Sequence, residues 1–174
     1  RRWVYATNHK DIGTCYLWFS FAMLLVGGVN ALLLRSELFQ PGLQIVNPEF
    51  FNQLTTLHGL IMVFGAIMPA FVGFANWQIP LMIGCSDMAF ARMNNFSFWL
   101  LPVAAALLVV SYFVPGGATA AGWTLYAPLS VQMGPGMDLA IFAVHIMGAS
   151  SIMGSINIIT TILNMRAPGM TLMK

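Results

Sequence analysis

The sequence predicts an all-α transmembrane protein with four membrane-spanning helices, and three observations carry that reading. Hydrophobic residues make up 59% of the chain and charged residues 7%, a balance that excludes a soluble domain. Mean hydropathy is +0.80. Four charge-free runs, 12–34, about 51–79, 96–114 and 139–163, each supply the roughly 20 residues needed to cross a hydrocarbon core of about 30 Å.

The first run, Ile12–Leu34, contains Gly27 and Gly28 and is closed by Arg35. Membrane helices tolerate such glycines, which let neighbouring backbones approach closely. The second run is the most informative. No charge interrupts the chain between Glu49 and Asp87, yet His58 lies within LTTLHGLIMVFGAIMPAFVGFANWQIP (54–80). An ionisable side chain at that depth is costly unless paired or ligated, and a neutral imidazole can bind a metal through one nitrogen while donating from the other. Asn76 follows His58 by five ideal helical turns, which places both on one face about 27 Å apart. Pro69 lies between them and is expected to kink the helix.

The third run carries Pro102, and the fourth carries Gly148 and Gly154. The lower part of the fourth is polar, with Ser150, Ser151, Ser155, Asn157, Thr160, Thr161 and Asn164. Asn157, Thr161 and Asn164 share a face by their spacing. Such residues serve either as interhelical hydrogen-bond partners or as the lining of a hydrated path, because water chains need uncharged donors and acceptors.

Basic residues orient the chain. With the N-terminus inside, Arg1, Arg2, Lys10, Arg92, Arg166 and Lys174 fall on the inner side and Arg35 alone on the outer side, as the positive-inside rule requires. His58 then lies about 10 Å below the outer surface, with His145 of the fourth run at nearly the same level and Arg35 just above both. Asp87 falls at the inner surface as an exposed carboxylate, between Asn76 and the pair Asn94 and Asn95. It is expected to collect protons there, or else to pair with Arg92 or cap the third helix. Cys15 and Cys85 form no CxxC pattern and are expected to be reduced. The chain has no initiator Met and stops just past a span, so it is expected to be a piece of a longer protein.

The segments ATNHKDIG (6–13), LLRSELFQPG (33–42), TLHGLIMVFGAIMP (56–69), IGCSDMAFARMNNFSFWLLP (83–102), GWTLYAPLS (122–130) and DLAIFAVHIMGASSIMGSINIITTILNMRAPGMT (138–171) together resemble subunit I of the haem–copper oxidases. Within that family the likeness is to the cytochrome c oxidases, and it covers nearly the whole chain. It implies the first four helices of a bundle of about twelve, in a proton-translocating oxidoreductase that passes electrons from cytochrome c to oxygen. His58 matches an axial ligand of haem a, and Arg35 the arginine that hydrogen-bonds the haem a formyl group. Asp87 matches the acid at the entrance of the D proton pathway, and Asn76, Asn94, Ser150, Ser151 and Asn157 match polar residues along it. Glu37 and Gly42 match a peripheral calcium or sodium site. The second haem, the copper centre and their ligands belong to parts of the family's subunit beyond residue 174.

Ser86, Ala91 and Ala127 stand where the family usually has proline, which frees the backbone on both sides of Asp87. The implied partners are subunits II and III, cytochrome c and the lipid bilayer, with no nucleic acid. The implied location is a bacterial inner membrane, with the mitochondrial inner membrane as the alternative. Three other readings compete: a quinol oxidase subunit I, a small b-type cytochrome with His58 and His145 on one haem, and a proton channel built on Asp87. The segment AVHIMGASS (143–151) favours cytochrome c over quinol.

Overall fold

Helix α1 spans His9–Glu37, α2 Pro48–Leu60, α3 Met68–Ile83, α4 Ala91–Val110 and α5 Pro135–Asn164 in the computed structural model, which describes residues 2–172. Arg1 and Lys174, two of the cations assigned to the inner side, lie outside the described residues. A π-helical segment, Ile61–Ile67, joins α2 to α3 in one rod, Pro48–Ile83, so among the described residues four units are long and apolar enough to cross a membrane. The described residues contain no strand.

The first two spans start ahead of their apolar runs, where polar side chains cap them. Asn8 accepts a hydrogen bond from the Lys10 amide at the start of α1, and Asn47 does the same for Phe50 before α2, satisfying amides that have no partner within the helix. Pro48 and Pro135 occupy first-turn positions, where the missing N–H costs nothing. Gly84 ends α3 at φ 71°, a left-handed conformation that favours glycine. The third unit stops as an α-helix at Val110 and tightens into a 3₁₀ turn, Ser111–Phe113.

At Pro69, where a kink is expected, the helical ladder changes its hydrogen-bond pattern. It enters α3 in its first turn, and just before it the amide of Met68 reaches back five residues to the carbonyl of Val63. The wider π turns accommodate a proline that brings no N–H to the ladder.

The rod lies antiparallel along α1, α5 lies antiparallel along α4, and the two pairs meet through α1 with α4 and α3 with α5. The core between them gathers Ile12, Tyr16, Leu57, Leu60, Ile61, Leu101, Ala104, Leu108, Ala140 and Ala143. Close approach of α1 and α3 depends on two glycines outside the set named from sequence. A Cβ on Gly13 would lie 2.9 Å from the carbonyl oxygen of Gly73 and 2.9 Å from the Trp77 ring. Gly28 and Gly148, by contrast, have open space around them. Gly13→Ala should therefore force the helices apart and destabilise the bundle by about 1–3 kcal/mol, whereas Gly148→Ala should be neutral. Thermal unfolding of the two variants in detergent checks the contrast, and equal midpoints would remove Gly13 from the interface.

The connection 111–134 folds over the outer end of α2. Gly122 donates its amide to Thr56 Oγ1 at 3.0 Å, and Gln53 Nε2 donates to the Gly116 carbonyl. Trp123 rests on Gly59, where an added Cβ would meet the tryptophan's Cβ at 2.9 Å. The residue beside His58 is thus covered by a packed loop.

Candidate functional site

His58 is half-buried on the last turns of α2. Its Nδ1 lies 2.9 Å from the carbonyl oxygen of Gly27 on α1. A carbonyl only accepts, so Nδ1 carries a proton, and in the neutral imidazole Nε2 is then the nitrogen with the lone pair. Among the described residues Nε2 has no hydrogen-bond partner. Donation from one ring nitrogen to a backbone carbonyl is the arrangement that orients a metal-binding histidine, so the imidazole fits an axial ligand of a haem iron. No three His, Cys, Asp or Glu side chains converge among the described residues. Gly27 makes the contact possible, since a Cβ there would lie 2.6 Å from Met62 Sδ.

His145 is not brought into this arrangement. It is exposed on α5, which packs against α4 and α3, and its Nδ1 is bonded to Ile141 one turn back. Arg35 lies in the last turn of α1, about 12 Å along the axis from Gly27, exposed and with no side-chain partner among the described residues.

Glu37 is buried at the end of α1 and folds the next connection around itself. Its carboxylate accepts the amides of Gln44 at 2.8 Å, Ile45 at 2.6 Å and Val46 at 2.9 Å. Gly42 lies in the same loop at φ 94°. Both line an open hollow of about 510 Å³. Three donors occupy most of the roughly four lone-pair positions of a carboxylate, which leaves little for a cation.

At the opposite end, Asp87 is half-buried rather than exposed. Its Oδ1 accepts the amide of His9, the first residue of α1, at 3.1 Å and that of Met88 at 2.8 Å. It caps α1, not α4, and makes no ion pair with Arg92. An anion at a helix N-terminus is favoured by the unpaired amides and the helix dipole.

Behind it, Asn76, Asn94 and Asn157 are almost completely buried. Asn94 Nδ2 donates to Asn76 Oδ1, and Asn76 Nδ2 donates to Val72 O. Asn157 Oδ1 accepts the amide of Phe90 and Thr161 Oγ1 that of Ala89, so α5 holds the loop that carries Asp87. Asn164, expected on the same face, is exposed. Asn94 Oδ1 and Asn157 Nδ2 are buried with no partner. Buried polar atoms of this kind are what ordered water ordinarily satisfies.

Above the asparagines, two residues not singled out from sequence extend the line. Ser97 Oγ donates to Asn94 O at 2.8 Å and pairs with Tyr16 OH at 2.7 Å, while Ser150 Oγ donates to Ser97 O at 2.6 Å. Tyr16, Ser150 and Ser151 then form the polar side of a cavity of about 330 Å³, whose other walls include Phe64, Pro69, Val72, Leu101 and Met147. Hydrogen-bonding groups thus run from the His9 end to mid-bundle.

The chain matches the family described as cytochrome c and quinol oxidase polypeptide I over residues 11–174. It belongs to that family. The probable cytochrome c oxidase subunit 1-alpha of Streptomyces coelicolor is 48% identical over 176 residues, covering 99% of this chain and 30% of that protein. The protein of the same description from Streptomyces avermitilis is 47% identical with the same coverage. A putative cytochrome c oxidase subunit 1-beta of S. avermitilis is 48% identical over 175 residues. The chain therefore spans about 30% of the length of these oxidase polypeptides. His58 lies on the second spanning unit, and Asp87 lies in the short connection between the second and third.

Proposed function

We propose that this chain is the first part of the catalytic subunit of a cytochrome c oxidase, a terminal respiratory enzyme that couples electron transfer to oxygen reduction and proton pumping. The observation that carries the reading is His58, an imidazole within a membrane-spanning rod whose Nδ1 is held by Gly27 O and whose Nε2 is left to ligate. Haem a, when bound, supplies one-electron transfer. His58 would hold its iron on one side. Arg35 would place a cation and a donor at the macrocycle edge, which raises the potential of a haem. The second haem and the copper would be held by residues outside this chain.

The acid and amides at the other end serve proton uptake in this reading. Asp87 attracts protons at the inner surface. Asn76, Asn94, Asn157, Ser150 and Ser151, with Ser97 and Tyr16, offer uncharged donors and acceptors that orient water towards the central cavity. Glu37 and Gly42 would belong to a peripheral calcium or sodium site only if a cation displaced some of the amides now on the carboxylate. Subunits II and III would complete the enzyme in a bacterial inner membrane. The names of the Streptomyces relatives favour cytochrome c as donor, although the family also includes quinol oxidases.

The test is oxygen consumption by the complete purified subunit assembly, supplied in turn with reduced cytochrome c and a quinol. Turnover with cytochrome c alone is the expected result, and turnover with quinol alone would reassign the donor. Arg35→Met should shift the haem a absorption and lower its potential while haem content stays normal, since the side chain contributes a charge-assisted hydrogen bond and no iron bond. An unchanged spectrum and potential would reduce Arg35 to an interfacial anchor.

A further inference from the structure

The third histidine, His9, has no place in the reading above, and it is only 3% exposed. Its Nδ1 lies 2.7 Å from the backbone oxygen of Asn76 in the interior of α3. That oxygen would ordinarily accept the amide four residues on, but the residue four on is Pro80, which lies inside the helix and has no N–H. A buried helix carbonyl deprived of its donor needs another. We propose that His9 is a positioning residue at the pathway mouth, its imidazole replacing the backbone donor that Pro80 removes and thereby locking Asp87 and Asn76 into one frame. The proposal rests on the assignment of Asp87 to proton uptake.

The geometry makes one residue the common support of both groups. The backbone amide of His9 holds Asp87 Oδ1 at 3.1 Å, and its ring holds the backbone of Asn76, whose own side chain accepts from Asn94. The first turn of α1 thus carries the acid and is itself pinned to α3. Because a carbonyl only accepts, Nδ1 donates whether the ring is neutral or cationic. The bond to Asn76 therefore asks for a donor at that position and not for a titrating group.

This distinction sets the test, made in the complete oxidase. Asparagine places an amide N–H about where Nδ1 lies, so His9→Asn should keep turnover within about twofold of wild type, whereas His9→Ala should lower it about tenfold with a normal haem a spectrum. A His9→Asn variant as slow as His9→Ala would make the ring a proton carrier and overturn the proposal, as would an unimpaired His9→Ala. Pro80→Ala returns an N–H to the Asn76 carbonyl. In that background His9→Ala should cost no more than about twofold, the non-additivity expected of two groups serving one acceptor. Full additivity would overturn the proposal. If His9→Ala fails to assemble, haem content takes the place of turnover in the same cycle, and the Pro80→Ala background must restore it.

Amide hydrogen exchange separates this outcome from failure of the pathway assignment. Residues 9–13 and 84–90 should lose protection in His9→Ala and keep it in His9→Asn, whether or not Asp87→Asn affects turnover.

Discussion

His58→Ala in the complete subunit is expected to abolish the six-coordinate haem a spectrum while the membrane bundle still assembles. The imidazole makes one protein hydrogen bond, to the Gly27 carbonyl, whose loss costs about 0.5–1.5 kcal/mol. That is small for a helix that also buries Leu54, Leu57 and Leu60. No other histidine lies on the rod Pro48–Ile83, so no imidazole of that rod can substitute, and His145 is exposed on α5 with its Nδ1 bonded to Ile141. His58→Asn sharpens the result, because an amide can still donate to Gly27 but cannot replace Nε2 as a ligand. Both variants should lose the haem a spectrum in purified protein of normal helix content. Retention of a six-coordinate spectrum by either one would remove His58 from the iron.

The four spans and the isolated histidine were legible because each is a local violation of water solubility: a long run without charge, and one ionisable group inside it. The rest of the geometry depends on pairings that no local pattern encodes. Pro69 signals a disturbed helix, but the widening of the ladder into π turns beside α1, where Ser20 Oγ donates to Ala66 O, has no local sequence signature. Gly13 and Gly73 read as ordinary membrane glycines until their backbones are seen to touch. Tyr16 and Ser97 are single polar residues in apolar runs, and their contact joins positions 81 residues apart. Nothing local marks His9, because the buried oxygen it serves is freed of its helical donor by a proline on another helix. Asp87 lies in the connection between the second and third spans, as its position in the sequence requires, but it is half-buried, and its capping of α1 follows from the docking of α1 against α3.

Asp87→Asn is expected to leave the haem a spectrum and the fold intact while lowering turnover about tenfold or more, the lower range of what a focused charge adds to capture rates, and proton pumping with it. The substitution preserves the side-chain oxygen that accepts from His9 and Met88, so the loop and the start of α1 keep their supports. What it removes is the charge. Asp87 is the one acid in the connection between α3 and α4, and the buried amides behind it carry no charge with which to attract a proton. If the carboxylate serves only as a cap, the asparagine should cap nearly as well, and correctly assembled enzyme should turn over at the wild-type rate. Measuring oxygen consumption and proton release per haem in reconstituted vesicles separates the two roles. Wild-type pumping in the Asn variant would leave Asp87 as a helix cap and return the asparagine cluster to interhelical packing.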